Sequence, residues 1–122
     1  IKLGKQSSLT LGDINVSRDW SYAGDIVESM WLMLQTNQPK DYVVGSGLLH
    51  TVKELLEIAF NEVDLNWRDY VEIDASLIRN VEYKAPCANS NKIYKELGWK
   101  AKVEFGDLIR SMVLNDIYIE KK

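Results

Sequence analysis

The sequence has one cysteine, one histidine and two prolines among its 122 residues. The lone Cys87 excludes an internal disulfide and fits a reducing compartment, the cytoplasm. One cysteine and one histidine leave too few soft ligands for a structural zinc site. No apolar run approaches the roughly 20 residues that cross a bilayer. No secretory leader is visible, and a chain that opens at Ile1 instead of Met is expected to have lost its true start. Basic residues do not dominate either. The net charge is −3, without the basic face that nucleic-acid binding requires. Two further absences are local. No Gly-x-x-Gly-x-x-Gly turn is present, so the chain offers no pyrophosphate cradle for a dinucleotide. Neither Tyr83-Lys84 nor Tyr94-Lys95 makes a Tyr-x-x-x-Lys pair, since the two residues of each are adjacent.

What is present is enough for one modest core, hence a single domain over residues 1–122. Apolar residues make up 46% and charged residues 27%, the balance of a soluble globular chain. The organising stretch is residues 11–35. Its first half is polar and turn-rich and carries Arg18 between Ser17 and Asp19. Its second half places Ile26, Met30, Met33 and Leu34 on one helical face, with Ala23, Val27 and Trp31 as a neighbouring stripe. This periodicity predicts a helix from about Ser21 to Thr36, buried between layers, with Asp25 helping to start it.

The remaining elements follow in order. Residues 1–6 read as the tail of an element closed by Gly4, and Leu9 and Leu11 face inward on a short strand. Residues 12–15 form a turn. Tyr42-Val43-Val44 suits an interior strand, broken by Gly45-Ser46-Gly47. Thr51-Val-Lys-Glu54 is a capping box opening a helix whose apolar face is Val52, Leu55, Leu56, Ala59 and Phe60; His50 is an element of this helix start, not a catalyst. Trp67 lies in a loop before a strand over residues 71–74. Asn89 or Ser90 caps a short helix that runs to Leu97 and ends at Gly98, with Trp99 packed beneath. Asp107 is expected to cap a last helix bearing Leu108, Ile109, Met112, Val113 and Ile117. The fold class is therefore mixed α/β, helix-rich with a few short strands.

Arg18-Asp19-Trp20, then Asp25 and Glu-Ser-Met-Trp-Leu-Met-Leu, resembles the Arg-Asp-Trp…Asp…Ala-Met-Trp-Leu-Met-Leu segment of GDP-mannose 4,6-dehydratases, members of the extended short-chain dehydrogenase/reductase family. The Met-Trp-Leu-Met-Leu run is the specific part. Asp41-Tyr-Val-Val…His50-Thr-Val-Lys-Glu, Asn66-Trp67…Asp74…Arg79…Glu82 and Asn89-Ser-Asn-Lys92…Leu97-Gly-Trp-Lys100 extend the likeness over essentially all the chain. The family's proline after the second arginine is Asn80 here, and its Asp-Pro before the short helix is Asn89-Ser90.

The resemblance implies the C-terminal substrate-binding portion of such an enzyme, with the Rossmann domain missing upstream. It implies NADP as the cofactor of the whole enzyme, none on this portion, and a GDP-sugar as substrate. The whole enzyme's reaction takes hydride from C4, expels water across C5–C6 and returns hydride to C6. By themselves, Arg18 beside Asp19 reads as a surface ion pair and Arg79 as a solvated loop residue. The resemblance makes both of them diphosphate contacts, Glu82 a ribose contact, and the backbone at Leu11 and Gly12 part of the nucleotide site. Guanidinium forks suit phosphate oxygens, and a carboxylate suits a vicinal diol. No catalytic residue is expected in this chain, which should be inactive alone and part of a homo-oligomer, without nucleic-acid or membrane partners. Two alternatives stay open: another GDP-sugar dehydratase, reductase or epimerase, for example on a GDP-heptose, and a stand-alone nucleotide-binding or interaction module.

Overall fold

Thr51 opens the most clearly signalled helix. In the computed structural model, which describes residues 1–78 and 85–122, its hydroxyl accepts from the Glu54 amide at 3.0 Å. The Glu54 carboxylate accepts from the Thr51 amide at 2.6 Å, completing the capping box. Helix α2 (Val52–Asn61) then buries Leu56 and Phe60. Against it lies α4 (Phe105–Glu120), which buries Phe105 and Ile109. The expected cap of α4 is a correction. Glu104 holds the cap position, and Asp107 sits inside the first turn, where its carboxylate accepts from Arg110 at 2.8 Å instead of from an amide.

Two short ladders hold the loops. Strand β1 (Leu9–Leu11) runs parallel to β4 (Val71–Ile73), with Leu9 opposite Val71 and Leu11 opposite Ile73. Thr10 is exposed between the half-buried Leu9 and Leu11, as strand alternation requires. Strand β2 (Ser17–Arg18) pairs antiparallel with β3 (His50–Thr51), and the amides of Val52 and Lys53 continue the contact to the carbonyls of Val16 and Ile14. His50 stacks on Phe105 at 4.1 Å, and Trp20 covers the same ring at 5.4 Å.

Helix α3 (Asn91–Leu97) is short, so its anchoring comes from tertiary contacts. Ile93 is completely buried and Gly98, at φ 71°, ends the helix. Asn89 accepts from the Asn91 amide at 3.1 Å, whereas the Ser90 hydroxyl is committed to Gly45. Trp99 is buried, and its indole N–H donates to the Asp25 carbonyl at 2.8 Å.

Helix α1 (Ala23–Leu34) differs from the sequence expectation in two ways. Its apolar stripe is not covered: Val27, Met30, Trp31 and Leu34 are exposed, Leu34 by 81%. The side facing the rest of the chain centres on Asp25 and Ser29, both buried. Amphipathic periodicity finds an apolar face but not the layer that covers it, and nothing among the described residues does. Asp25 is likewise more than a helix starter, because its carboxylate accepts the amides of Lys102 at 2.8 Å and Val103 at 3.0 Å. The expected interior strand at Tyr42–Val44 is also corrected. These residues join no ladder, because no strand among the described residues lies beside them. They are pinned at their ends instead: Glu96 accepts from Lys40 and Tyr42, and Ser90 exchanges hydrogen bonds with Gly45.

Candidate functional site

The β1–β4 ladder brings two of the expected site segments together. Asp74 donates its amide to the Leu11 carbonyl at 2.8 Å, one step beyond the ladder. Its carboxylate then accepts from the Ser76 amide at 2.8 Å and starts the single helical turn Ala75–Leu77. That turn lies on Gly12. A Cβ at Gly12 would stand 2.9 Å from the Leu77 carbonyl oxygen, so only glycine allows this approach without displacing backbone. Leu11 and Gly12 thus lie against residues 74–77. Arg79 and Glu82 fall outside the described residues.

Arg18 is placed on the other ladder, opposite His50. It is exposed, and among the described residues its guanidinium donates only to the Ser17 carbonyl at 2.7 Å. The ion pair with Asp19 that its sequence neighbourhood suggested does not form. Successive residues of a strand point to opposite sides, and the Asp19 carboxylate is turned into the fold. Oδ1 accepts from the Ser46 amide at 3.0 Å and the Ser46 hydroxyl at 2.5 Å; Oδ2 accepts from the amides of Gly47 at 2.9 Å and Ala88 at 3.0 Å. The same close packing requires Gly45, whose added Cβ would lie 2.4 Å from that of Ala88. Gly47, at φ +76°, sits in the left-handed region that favours glycine. Sequence reading treated Asp19 only as the neighbour of Arg18. The available signal was the Gly-Ser-Gly turn, a row of small residues whose amides can converge on one carboxylate.

Burial pushes the Asp19 carboxyl up, but the Ser46 hydroxyl and the amides of Ala88, Gly47 and Ser46 outweigh it and hold the group below its ordinary value of 3.8. A depressed carboxylate contributes stability above its unfolded pKa and loses it as pH falls through the folded value. The protein is therefore expected to lose stability below about pH 4, and Asp19→Asn to flatten this part of the profile. Thermal melts between pH 2 and 6, on the order of half-unit steps, measure both slopes; parallel curves would count against the assignment.

A shallow cavity of about 440 Å³ opens between residues 45–47 and 88–91, walled by Tyr94, Trp99 and Lys100. Leu11, Gly12 and Arg18 do not line it. Among the described residues no group of three His, Cys, Asp or Glu side chains could hold a metal ion. No helix among them is long and apolar enough to cross a membrane.

A dinucleotide is not accommodated either. A pyrophosphate cradle needs a strand that enters a helix through a glycine-rich turn. Here β1 leads into Gly12 and then an Asx turn, with Asp13 accepting from the Asn15 amide at 2.8 Å. β2 reaches α1 across Asp19-Trp20-Ser21-Tyr22, and β3 runs straight into α2. The described residues do not fit NADP.

Comparison with known proteins agrees with the motifs. The family model "GDP-mannose 4,6 dehydratase" matches residues 1–112. GDP-mannose 4,6 dehydratase 1 of Arabidopsis thaliana is 48% identical over 122 residues, covering all of this chain and 34% of the relative. The Dictyostelium discoideum GDP-mannose 4,6 dehydratase is 40% identical, covering 96% of this chain and 38% of the relative. The chain spans about a third of the length of these curated relatives. Among solved structures, RMD from Pseudomonas aeruginosa complexed with NADPH superposes with a TM-score of 0.81 at 23% identity, over 93% of this chain and 37% of that one. The dTDP-glucose 4,6-dehydratase of Bacillus anthracis in complex with NAD gives 0.80 at 20% identity, over 94% and 36%. These two show the fold alone. The family match over residues 1–112 and the identity to curated relatives together establish that this chain belongs to the GDP-mannose 4,6-dehydratase family.

Proposed function

We propose that this chain is the nucleotide-sugar-binding portion of a GDP-mannose 4,6-dehydratase, which converts GDP-mannose to GDP-4-keto-6-deoxy-mannose. The observation that carries this reading is the seating of Leu11 and Gly12 on residues 74–77. The segment assigned to the nucleotide thereby adjoins the segment that runs into Arg79. Arg79 and Arg18 hold the diphosphate by charge-assisted bonds, and Glu82 accepts from the ribose hydroxyls. The chain's part in the reaction is to bind the nucleotide and orient the hexose, which lowers the barrier through positioning. Bound NADP supplies hydride chemistry to the whole enzyme, from residues outside this sequence. The uncovered apolar face of α1 and the unpaired residues 42–44 are where that cofactor-binding portion packs.

GDP titration calorimetry on the full-length protein carrying this sequence tests the site. Arg79→Ala is expected to abolish measurable binding, and Arg18→Ala to weaken it about tenfold, the worth of one charge-assisted bond. Equal binding by wild type and Arg79→Ala would remove Arg79 from the site.

A further inference from the structure

We propose that Asp19 is a positioning residue for nucleotide binding: it ties the open end of the β2–β3 ladder and so fixes Arg18 in the orientation that meets the diphosphate. This rests on the assignment of Arg18 to the substrate made above.

The β2–β3 ladder consists of two residue pairs, Ser17–Thr51 and Arg18–His50. A ladder that short holds its register weakly without outside support. Arg18 is the last residue of β2, and among the described residues its guanidinium has no hydrogen bond beyond the one to the Ser17 carbonyl. Its aim is therefore set by its backbone. The next residue supplies the restraint. Asp19 takes four donors from the turn that feeds β3 and from Ala88. The Ser46 hydroxyl, while donating to Asp19, also accepts from the Leu48 amide at 3.1 Å, two residues before His50. Both strands of the ladder are thus tied through one carboxylate at the end where Arg18 leaves it. The guanidinium stays exposed with no carboxylate partner among the described residues, its fork available to an anion.

An amide cannot replace this group. Each Asp19 oxygen accepts from two donors, whereas the asparagine NH₂ would confront amide N–H groups and leave two of the four donors unpaired. Asp19→Asn therefore keeps the shape and breaks the clip.

The test is a double-mutant cycle on the full-length protein carrying this sequence, with GDP as the probe: wild type, Asp19→Asn, Arg18→Ala and the double variant. Asp19→Asn is expected to weaken GDP binding about tenfold in the wild type and no more than about twofold once Arg18 is alanine. The Arg18 Nε–H resonance should shift on GDP addition in the wild type and stay in place in Asp19→Asn. Where Asp19→Asn fails to fold, Ser46→Ala removes one of the four donors to Asp19, together with the acceptor of the Leu48 amide. It should weaken GDP about threefold, and only while Arg18 is present. An unchanged affinity in folded Asp19→Asn would overturn the proposal, as would an equal loss in both backgrounds. Wild-type protein that ignores GDP, or an Arg18→Ala variant that binds as tightly as wild type, would instead sink the substrate assignment of Arg18 and this inference with it.

Discussion

Asp25→Ala is expected to destabilise the protein by about 2–4 kcal/mol, because it leaves the amides of Lys102 and Val103 without their acceptor in a largely dry site. Asp25 is only 5% exposed, so water cannot readily replace the lost oxygen. The carboxylate joins the first turn of α1 to the chain just before α4, and no other hydrogen bond described there joins those amides to the helix. Both amides meet the same oxygen, Oδ2, so Asp25→Asn can place its one oxygen there, loses the charge of the acceptor and should cost roughly half as much. Urea unfolding followed by tryptophan fluorescence reads both values. A loss below about 0.5 kcal/mol for Asp25→Ala would show that Asp25 only assists the helix start, as a first-turn acidic residue does.

Trp99→Ala should cost about 3–5 kcal/mol, the range for removing a large buried aromatic side chain. Trp99 is 2% exposed and meets α1 through its indole N–H on the Asp25 carbonyl. Trp99→Phe separates packing from hydrogen bonding: it keeps most of the ring volume and should lose about 1 kcal/mol for the bond, plus a smaller packing term. Trp99 meets the Asp25 backbone carbonyl, which Asp25→Ala keeps; because both residues anchor the same first turn of α1, the double alanine variant should be less destabilised than the sum of the two single variants. Strict additivity in urea unfolding would mean that the two residues stabilise separate parts of the fold.

The sequence was most legible where the determinants are local. The Thr51–Glu54 capping box, the Gly98 terminus of α3 and the alternation of Leu9, Thr10 and Leu11 each depend on neighbours within a few residues, and all three form as expected. Misreadings occurred where the deciding partner is distant. The neighbours of Asp25 indicate only a helix start, whereas its acceptor role depends on residues 102 and 103. The neighbour of Asp19 in sequence is Arg18, whereas its donors come from residues 46, 47 and 88. Tyr42–Val44 has the composition of a buried strand and no strand beside it among the described residues, so composition alone overstates its pairing. The apolar stripe of α1 is a stripe in the sequence and in the fold, but periodicity carries no information about the partner that covers it. The family itself was legible because the Met-Trp-Leu-Met-Leu run couples a helix pattern to unusual residue choices. Of the expected site, the Leu11–Gly12 seat on residues 74–77 has a structural basis, Arg18 stands apart on its own ladder, and Arg79 and Glu82 fall outside the described residues.

The most direct measurement is product analysis. The full-length protein carrying this sequence, supplied with NADP and GDP-mannose, should release a nucleotide sugar lighter than its substrate by one water and bearing a ketone at C4, identified by mass spectrometry and borohydride trapping. A product of unchanged mass would mean epimerisation, and no turnover of GDP-mannose beside turnover of another GDP-sugar would mean a different substrate. Either result would contradict the assignment as a GDP-mannose 4,6-dehydratase.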